Sequence, residues 1–178
     1  MKVERIVLGG GCFWCTEAVF SMPMGVESAE PGYAGGTAKD PTYEGVCSGD
    51  TGHAEVLMVG YNPNVISLET LLDVFFEMHD PTSLNRQGED EGTQYRSIIL
   101  CTGKAQKEAV ERYIESRKND YGRRIVTEVG ILGEFYAAEE YHRRYYERNR
   151  GQAYCELVIS PKIARIRKEF GKEISRFL

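Results

Sequence analysis

The sequence predicts an α/β (α+β) protein with a single domain over residues 1–178. Short apolar runs alternate along the chain with segments whose apolar residues recur every three or four positions, as expected for strands alternating with helices. The chain has 178 residues, 42% of them hydrophobic, so it can bury a substantial core. No internal repeat, linker or low-complexity tract divides it.

The amino-terminal third is predicted to hold three strands and one helix. The strands cover residues 3–8, 26–34 and 54–61, where apolar or partly alternating runs end at turn-forming residues. The helix begins at Cys12, after three glycines, and ends near Phe20, before a proline that disfavours its continuation.

Two long polar segments, 35–53 and 80–94, are predicted as loops. The first holds many of the glycines, threonines, serines, aspartates and prolines of the chain. Because loops of this length are uncommon in compact domains unless they have a function, we expect a functional role for it.

The remaining elements are predicted from caps and helical spacing. They are a helix from its N-cap Ser67 through Phe76, a buried strand over 95–101, a helix over 102–119, a strand over 124–129, a helix over 137–148, and a last helix with Ser160 as N-cap and Pro161 at its first position. The last helix has an apolar face that must pack on the rest of the protein, formed by Ile163, Ile166, Phe170, Ile174 and Phe177.

Composition excludes several classes of function. The net charge of −5 and the pI near 5.4 argue against a nucleic-acid partner, which needs a basic surface. No apolar run approaches the roughly 18 to 20 residues of a membrane span, and the amino-terminal apolar run is too short for a secretory signal, so a cytoplasmic protein is expected. Five cysteines without regular spacing indicate redox-active or buried thiols rather than a disulfide framework.

Cys12 is the candidate nucleophile. Its predicted position, where a strand turns into a helix, exposes it to backbone N–H groups without intrahelical partners and to the positive end of the helix dipole. Both favour the thiolate, which is the reactive form of cysteine. Phe13 and Trp14 follow directly and are candidates for an aromatic surface beside the thiol. Cys15 lies three residues on and is a candidate resolving thiol.

The chain resembles the peptide methionine sulfoxide reductase A family, and the likeness extends over nearly its whole length. Gly11-Cys12-Phe13-Trp14 is the signature of that family, and other similar blocks follow in family order. These blocks are Pro31-Gly32-Tyr33-Ala34-Gly35-Gly36, Pro41-Thr42-Tyr43, Val46-Cys47-Ser48-Gly49-Asp50-Thr51-Gly52-His53-Ala54-Glu55, His79-Asp80-Pro81-Thr82, Asn85-Arg86-Gln87-Gly88 and Gly92-Thr93-Gln94-Tyr95-Arg96-Ser97. The resemblance implies a two-layer sandwich around a mixed sheet, of ferredoxin-like type.

The resemblance also implies an activity, the reduction of the S epimer of free and peptidyl methionine sulfoxide, without a cofactor. Cys12 attacks the sulfoxide sulfur and becomes a sulfenic acid, while Glu55 supplies a proton to the oxygen. Tyr43 and Tyr95 match the family tyrosines that hold this oxygen, and Asp90 matches an aspartate of the hydrogen-bond network. Phe13 and Trp14 are expected to form an apolar pocket for the S-methyl group.

Which thiol resolves the sulfenic acid stays open between Cys15 and Cys155. β-Carbons three positions apart on a regular helix lie about 5 to 6 Å apart, against about 3.8 Å in a disulfide, so Cys15 requires a loosened first turn. Cys155 lies in a predicted C-terminal connection, where many family members place a recycling cysteine. We expect thioredoxin to reduce the resulting disulfide, and we expect the protein to be a monomer. Cys47 is interpreted as structural and Cys101 as buried.

Two other classes compete with this interpretation. A metal-binding module could use Cys12 and Cys15, but no second Cys-x-x-Cys or His-x₃₋₅-His pair accompanies them, and His53 and His79 are interpreted as structural; no metal is predicted. A general thiol–disulfide oxidoreductase would also use Cys-x-x-Cys at a helix start, yet it has no need of the Glu55 motif.

Overall fold

The structure is a computed structural model, and it describes residues 2–173. A six-stranded mixed sheet runs in the order β7-β6-β1-β3-β2-β8, in which only the β6–β7 pair is parallel. The strands are β1 (Glu4–Gly9), β2 (Val26–Ala34), β3 (Ala54–Tyr61), β6 (Ile98–Cys101), β7 (Glu128–Ile131) and β8 (Phe135–Ala137), with a separate hairpin of β4 (Arg86–Gln87) and β5 (Asp90–Glu91). The helices are α1 (Phe13–Phe20), α2 (Tyr43–Ser48), α3 (Leu68–Met78), α4 (Lys104–Arg117), α5 (Tyr145–Arg148) and α6 (Ser160–Glu169).

The central strand β1 is apolar at consecutive positions because both of its faces are covered. Ile6, Val7 and Leu8 are all fully buried. Ile6 and Leu8 join the large core cluster, to which α1, α3, α4 and α6 also contribute, while Val7 joins a smaller cluster on the opposite face. These four helices therefore cover one face of the sheet. No helix within residues 2–173 is long and apolar enough to cross a membrane.

Antiparallel pairing brings three connecting segments together at one end of the sheet. β1 pairs with both β3 and β6, so the end of β1 lies beside the starts of those two strands. β2 ends at Ala34, opposite Ala54 at the start of β3. The turn that follows β1, the connection between β2 and β3, and the segment before β6 consequently meet at this end.

The predicted strands 26–34 and 54–61 and the helix after Ser67 are confirmed, the last with the Ser67 side chain accepting a hydrogen bond from the Thr70 N–H. The predicted loop 35–53 also contains α2, capped by Thr42. Its two ends touch: a Cβ on Gly36 would lie 2.3 Å from the His53 nitrogen, so only glycine fits there.

The predicted helix over 137–148 is wrong. Ala137 ends strand β8, which pairs with β2, and a 3₁₀ turn follows at Glu140–His142. Arg144 then has a left-handed backbone with φ of 52°, which interrupts any helix, and only Tyr145–Arg148 are helical. Pairing with a distant strand decided this segment, and local spacing carries no information about it.

Three other boundaries differ from prediction. The strand expected over 124–129 is β7, four residues later at its start, and Tyr95 belongs to a 3₁₀ turn at Thr93–Tyr95 before β6. Ser160 does not cap a new helix: its backbone and that of Ile159 are helical, and a π-helical turn at Cys155–Ile159 leads directly into α6. Pro161 has no N–H to donate and would therefore interrupt the hydrogen bonds of a regular α-helix. A π turn changes this hydrogen-bond pattern locally. On the predicted apolar face, Ile163 and Ile166 are buried, whereas Ile174 and Phe177 lie outside the described residues.

Candidate active site

Cys12 occupies the N-cap position of α1, as predicted. Gly11 has φ of +96°, a conformation that favours glycine, and it turns the chain from β1 into the helix. The Cys12 carbonyl accepts the N–H of Cys15 at 3.1 Å, which begins the first turn. Cys12 is 8% exposed and is therefore buried.

The pKa of Cys12 differs from the expectation. Burial raises it well above its usual value, and a hydrogen bond with the Cys15 thiol and the charge of Glu55 act in the same direction. The backbone N–H of Trp14 lowers it, as expected at a helix start, but this effect is the smaller one. The helix start therefore favours the thiolate of Cys12, as expected, but burial of the thiol outweighs this effect.

The Cys15 thiol is fully buried beside Cys12. The hydrogen bond with Cys12 lowers the pKa of Cys15 to about 7, and burial opposes it. Two thiols that share a hydrogen bond titrate as a pair, so the first proton leaves readily and the second is held. The first proton of the pair is therefore lost more readily than that of an ordinary thiol.

Glu55 is the second residue of β3, and the two-residue period of the strand turns it towards the helix face, with Leu57 and Val59. It is 1% exposed, and its Oε2 accepts the Phe13 N–H at 3.0 Å. Burial raises the pKa of Glu55 to about 8. A carboxyl with this pKa retains a proton at neutral pH, as a general acid must.

Tyr43 and Tyr95 both lie near Glu55. Tyr43 begins α2 and Tyr95 ends the 3₁₀ turn before β6. Burial raises the pKa of each phenol, and the negative charge of Glu55 is the next cause for both. The charge of Cys12 also acts on Tyr95. The structure thus brings Cys12, Glu55 and two neutral phenols together at one end of the sheet.

Asp90 lies on the side of the site towards Cys15. In β5 it accepts a hydrogen bond from the Tyr154 hydroxyl at 2.7 Å, and that hydroxyl is 3.8 Å from the Cys15 sulfur. The Asp90 charge also raises the pKa of Glu55. Asp90 therefore links the acid to the segment that carries Cys155.

Phe13 and Trp14 lie in different environments. Phe13 is 1% exposed and packs on Tyr33 and His142, with ring centroids 5.8 and 4.9 Å away. Trp14 is half-buried and stacks on Tyr145 at a centroid distance of 3.6 Å. The two side chains give this part of the site an apolar surface.

The other cysteines differ in accessibility. Cys155 is fully buried and lies at the start of the π-helical turn, which corrects its predicted position in a connection between elements. The charge of Cys15 raises the pKa of Cys155, although burial is the larger cause. Cys101 is buried, as predicted, and Cys47 is exposed with its thiol hydrogen-bonded to Tyr43. All five cysteines are unpaired thiols.

Two histidines have structural surroundings. His53 accepts the Gly36 N–H on Nδ1 and contacts the Ala38 carbonyl through Nε2, so it holds the loop before β3. His79 lies between the Phe75 carbonyl and the Ser97 hydroxyl, and burial lowers its pKa to about 4. Over residues 2–173, no group of three or more His, Cys, Asp or Glu side chains could hold a metal ion.

Sequence reasoning missed Glu139, His142 and Tyr154, which contact the predicted site residues. His142 is fully buried, and its Nδ1 accepts the Trp14 indole N–H at 3.0 Å. The sequence does contain a cluster of aromatic and charged residues at 136–154 that could have indicated a contribution to the site. The helix predicted over 137–148 from local spacing covered much of this cluster.

Comparison with known proteins gives a consistent result. A family model described as peptide methionine sulfoxide reductase matches residues 4–174. The peptide methionine sulfoxide reductase MsrA of Psychrobacter arcticus is 52% identical over 170 residues, which cover 96% of this chain and 98% of that protein. The MsrA of Sulfolobus acidocaldarius is 49% identical over 173 residues, covering 97% and 98%.

Solved structures agree. Mxr1 from Saccharomyces cerevisiae in reduced form has a TM-score of 0.82 and 40% identity, covering 86% of this chain and 90% of that one. Mxr1 in complex with Trx2 has a TM-score of 0.58 and 29% identity, covering 81% and 85%.

The fold and the site define a thiol-dependent oxidoreductase, in which a cysteine at a helix start faces a protonated carboxyl and two phenols. The family model and the relatives make the class specific. The chain belongs to the peptide methionine sulfoxide reductase family and is a methionine sulfoxide reductase.

Proposed function

We propose that this reductase acts on the S epimer of methionine sulfoxide through Cys12, with Glu55 as the acid. The Cys12 sulfur attacks the sulfoxide sulfur and forms a transient S–S bond. The sulfoxide S–O bond then breaks as its oxygen passes to the Cys12 sulfur, the S–S bond breaks, and methionine leaves with Cys12 as a sulfenic acid. The thiol loses one proton and the departing oxygen gains one, so the thiol and the sulfoxide become a sulfenic acid and a thioether. The observation that carries this proposal is a buried carboxyl with a pKa of about 8 beside a buried thiol.

Tyr43 and Tyr95 donate hydrogen bonds to the sulfoxide oxygen in this proposal. Their raised pKa values keep both phenols protonated at neutral pH, so they can stabilise negative charge on oxygen without adding charge themselves. Asp90 belongs to the hydrogen-bond network of the site, and its charge raises the pKa of Glu55. Phe13 and Trp14 bind the S-methyl group. Selection of one epimer follows, because the methyl group and the oxygen occupy different sides of the site.

Recycling of the sulfenic acid uses Cys15, Cys155 or both. A thiol attacks the sulfenic sulfur, water leaves, and a disulfide forms. Two observations support this: the Cys15 thiol is hydrogen-bonded to Cys12, and the charge of Cys15 raises the pKa of Cys155. Because both are buried, the π-helical turn must move before a reductant can reach a disulfide that includes Cys155.

Thioredoxin is the proposed reductant, supported by the resemblance to Mxr1 in its complex with Trx2. The proposal further includes a monomer with one domain, a two-layer, ferredoxin-like arrangement of helices on a sheet, and a cytoplasmic location. Five unpaired thiols suit a reducing compartment.

The activity is tested with resolved S and R epimers of a peptidyl methionine sulfoxide, with dithiothreitol and then with thioredoxin. We expect reduction of the S epimer alone and none by Cys12→Ser, while Cys47→Ser, which removes an exposed thiol, stays active. Reduction of both epimers, or activity in Cys12→Ser, would contradict the proposal. Disulfide reduction in insulin without any sulfoxide reduction would favour the thiol–disulfide oxidoreductase instead.

The recycling step is tested separately with Cys15→Ser, Cys155→Ser and the double variant. We expect each single variant that blocks recycling to release one equivalent of methionine per enzyme and then to stop with thioredoxin as reductant. Normal thioredoxin-driven turnover in all three variants would remove both thiols from the mechanism. Cys101→Ser, also at a buried thiol, is the matched control.

A further inference from the structure

A carboxylate outside the proposed catalytic set joins two parts of the site. Glu139 follows β8, and its Oε2 accepts a hydrogen bond from the Tyr33 hydroxyl at 2.6 Å. Its Oε1 accepts the backbone N–H of Tyr43 at 2.9 Å. The Glu139 side chain is 33% exposed, so this carboxylate bridges the sheet and α2 near the surface.

The hydrogen bond to Tyr43 fixes the start of α2. Tyr43 is the first residue of that helix, and a first-turn N–H has no partner within its own helix. The Thr42 hydroxyl satisfies the Gly45 N–H at 3.2 Å, and Glu139 satisfies that of Tyr43. A negative charge at this end is also favoured by the helix dipole. The start of α2, which carries the Tyr43 phenol, is therefore fixed by two acceptors, the Thr42 hydroxyl and the Glu139 carboxylate.

Glu139 also precedes the 3₁₀ turn Glu140–His142, which contacts the aromatic residues of the site. The Glu139 carbonyl accepts the His142 N–H at 3.0 Å. The His142 ring lies 4.5 Å from that of Tyr43 and 4.9 Å from that of Phe13 by centroid, and it accepts the Trp14 indole N–H. Tyr43 is thus fixed through its backbone by Glu139 and through its ring by His142.

We propose that Glu139 is a positioning residue that holds the Tyr43 hydroxyl at the sulfoxide oxygen by anchoring the start of α2. This inference rests on the proposed role of Tyr43. In this role Glu139 acts through Tyr43 and touches neither the substrate nor Cys12. A residue that acts only through Tyr43 has no effect once the Tyr43 hydroxyl is gone.

The experiment compares Glu139→Ala, Glu139→Gln, Tyr43→Phe and the double variant Tyr43→Phe/Glu139→Ala, with Glu140→Ala as the control for loss of a neighbouring charge. The rate of methionine release in a single turnover is measured with kcat and KM for the S epimer. Exchange of the Tyr43 backbone amide is measured in parallel by NMR, because this readout requires no activity.

We expect Glu139→Ala to lower kcat about tenfold with little change in KM, and to speed exchange of the Tyr43 amide by a similar factor. Glu139→Gln keeps an oxygen acceptor, so its kcat and its Tyr43 amide exchange rate should stay close to those of wild type. The kcat of the double variant should be no lower than that of the more impaired single variant. Multiplied losses in the double variant, or an unchanged Tyr43 amide in Glu139→Ala, would overturn the inference. A wild type that reduces neither epimer would refute the proposed function, while amide exchange would still decide whether Glu139 anchors Tyr43.

Discussion

At the scale of single residues, burial controls the chemistry of this site. It keeps a proton on Glu55 and raises the pKa of Cys12, so both start the reaction largely protonated. The arrangement suits a reaction that transfers a proton to oxygen while sulfur is attacked. The raised pKa of Cys12 also slows the reaction of the resting thiol with oxidants in solution, because the thiolate is the reactive form.

Replacing the proposed acid should slow the first half of the reaction. Glu55→Gln keeps the acceptor for the Phe13 N–H but cannot donate a proton of comparable acidity, so we expect sulfenic acid formation to slow at least about 100-fold. Single-turnover methionine release measures this rate. Glu27→Gln, at an exposed position of β2, is the control. An unchanged rate in Glu55→Gln would remove this residue from the mechanism.

The raised pKa of Glu55 also makes stability depend on pH. Between about pH 4.5 and 8 the folded protein holds a proton on this carboxyl that the unfolded chain has released, so its contribution to the free energy of unfolding falls as pH rises. The slope from one group is at most about 1.4 kcal/mol per pH unit.

Urea unfolding of wild type and Glu55→Gln at pH 5, 6.5 and 8 measures this contribution as a difference. We expect the stability of wild type relative to the variant to decrease steadily over this range. The pKa of His79, lowered to about 4, acts in the opposite direction, but it is common to both proteins and cancels. A difference that is constant with pH would contradict the assignment.

At this scale the sequence could single out Cys12, Glu55, Tyr43 and Tyr95, because each lies in a recognisable motif, and the structure brings these four residues together; their roles stay predictions. The sequence could not predict the pKa of Cys12, because burial raises that pKa and the core cluster that contains Cys12 is built from distant parts of the chain. Glu139 was missed for the same reason: it contacts Tyr43 across 96 positions.

At the scale of elements, local signals succeed where a cap fixes the start of a helix. Ser67 accepts the Thr70 N–H at 3.0 Å and begins α3, whose buried residues include Leu71, Leu72 and Phe75. α3 also ends next to His79 and the β4–β5 hairpin that carries Asp90. Its start is remote from the site, so its stability can be varied without touching the chemistry.

Removal of that cap should cost stability alone. We expect Ser67→Ala to lower the free energy of unfolding by about 1 kcal/mol, because the Thr70 N–H loses its acceptor. Ser67→Asp, which keeps an acceptor and suits the helix dipole, should stay close to wild type. Equilibrium urea unfolding measures both. Equal stability of Ser67→Ala and wild type would show that water replaces the cap without cost.

Local signals fail where a partner distant in sequence decides the element. Residues 137–148 contain enough helix-forming residues to suggest a helix, yet β2 recruits Ala137 into the sheet and Glu17 accepts the Arg144 N–H at 2.9 Å. Pro161 is a good first residue of a helix, but here the helical backbone has already started upstream. Both errors come from contacts that the sequence does not show.

At the scale of the whole molecule, the order of the strands assembles the site. Cys12 follows β1, Glu55 is the second residue of β3, and Tyr95 precedes β6, and β1 lies between β3 and β6 and pairs antiparallel with each of them. The alternation of strands and helices predicted the mixed α/β fold. The strand order itself could not be predicted from local pattern, because the neighbours of β1 start 50 and 94 positions after Glu4.

A single domain predicts a single cooperative transition. We expect urea unfolding followed by Trp14 fluorescence and by far-ultraviolet circular dichroism to give the same midpoint, since Trp14 belongs to α1 and contacts Tyr145 and His142 near the C-terminal end of the chain. Trp14 is the only tryptophan, so the fluorescence signal has one source. Separate midpoints would show that the site unfolds independently of the sheet.

The central position of β1 has a consequence for synthesis on the ribosome. β1 and Cys12 emerge well before the partners of Trp14, because His142 and Tyr145 are more than 120 positions further on. At about 5 to 20 residues per second, a nascent chain carries its nucleophile for several seconds or longer before those partners exist. Over that interval the thiol lacks the surroundings that raise its pKa in the finished protein. The newly made chain is then at its most vulnerable to the oxidants whose damage the mature enzyme repairs.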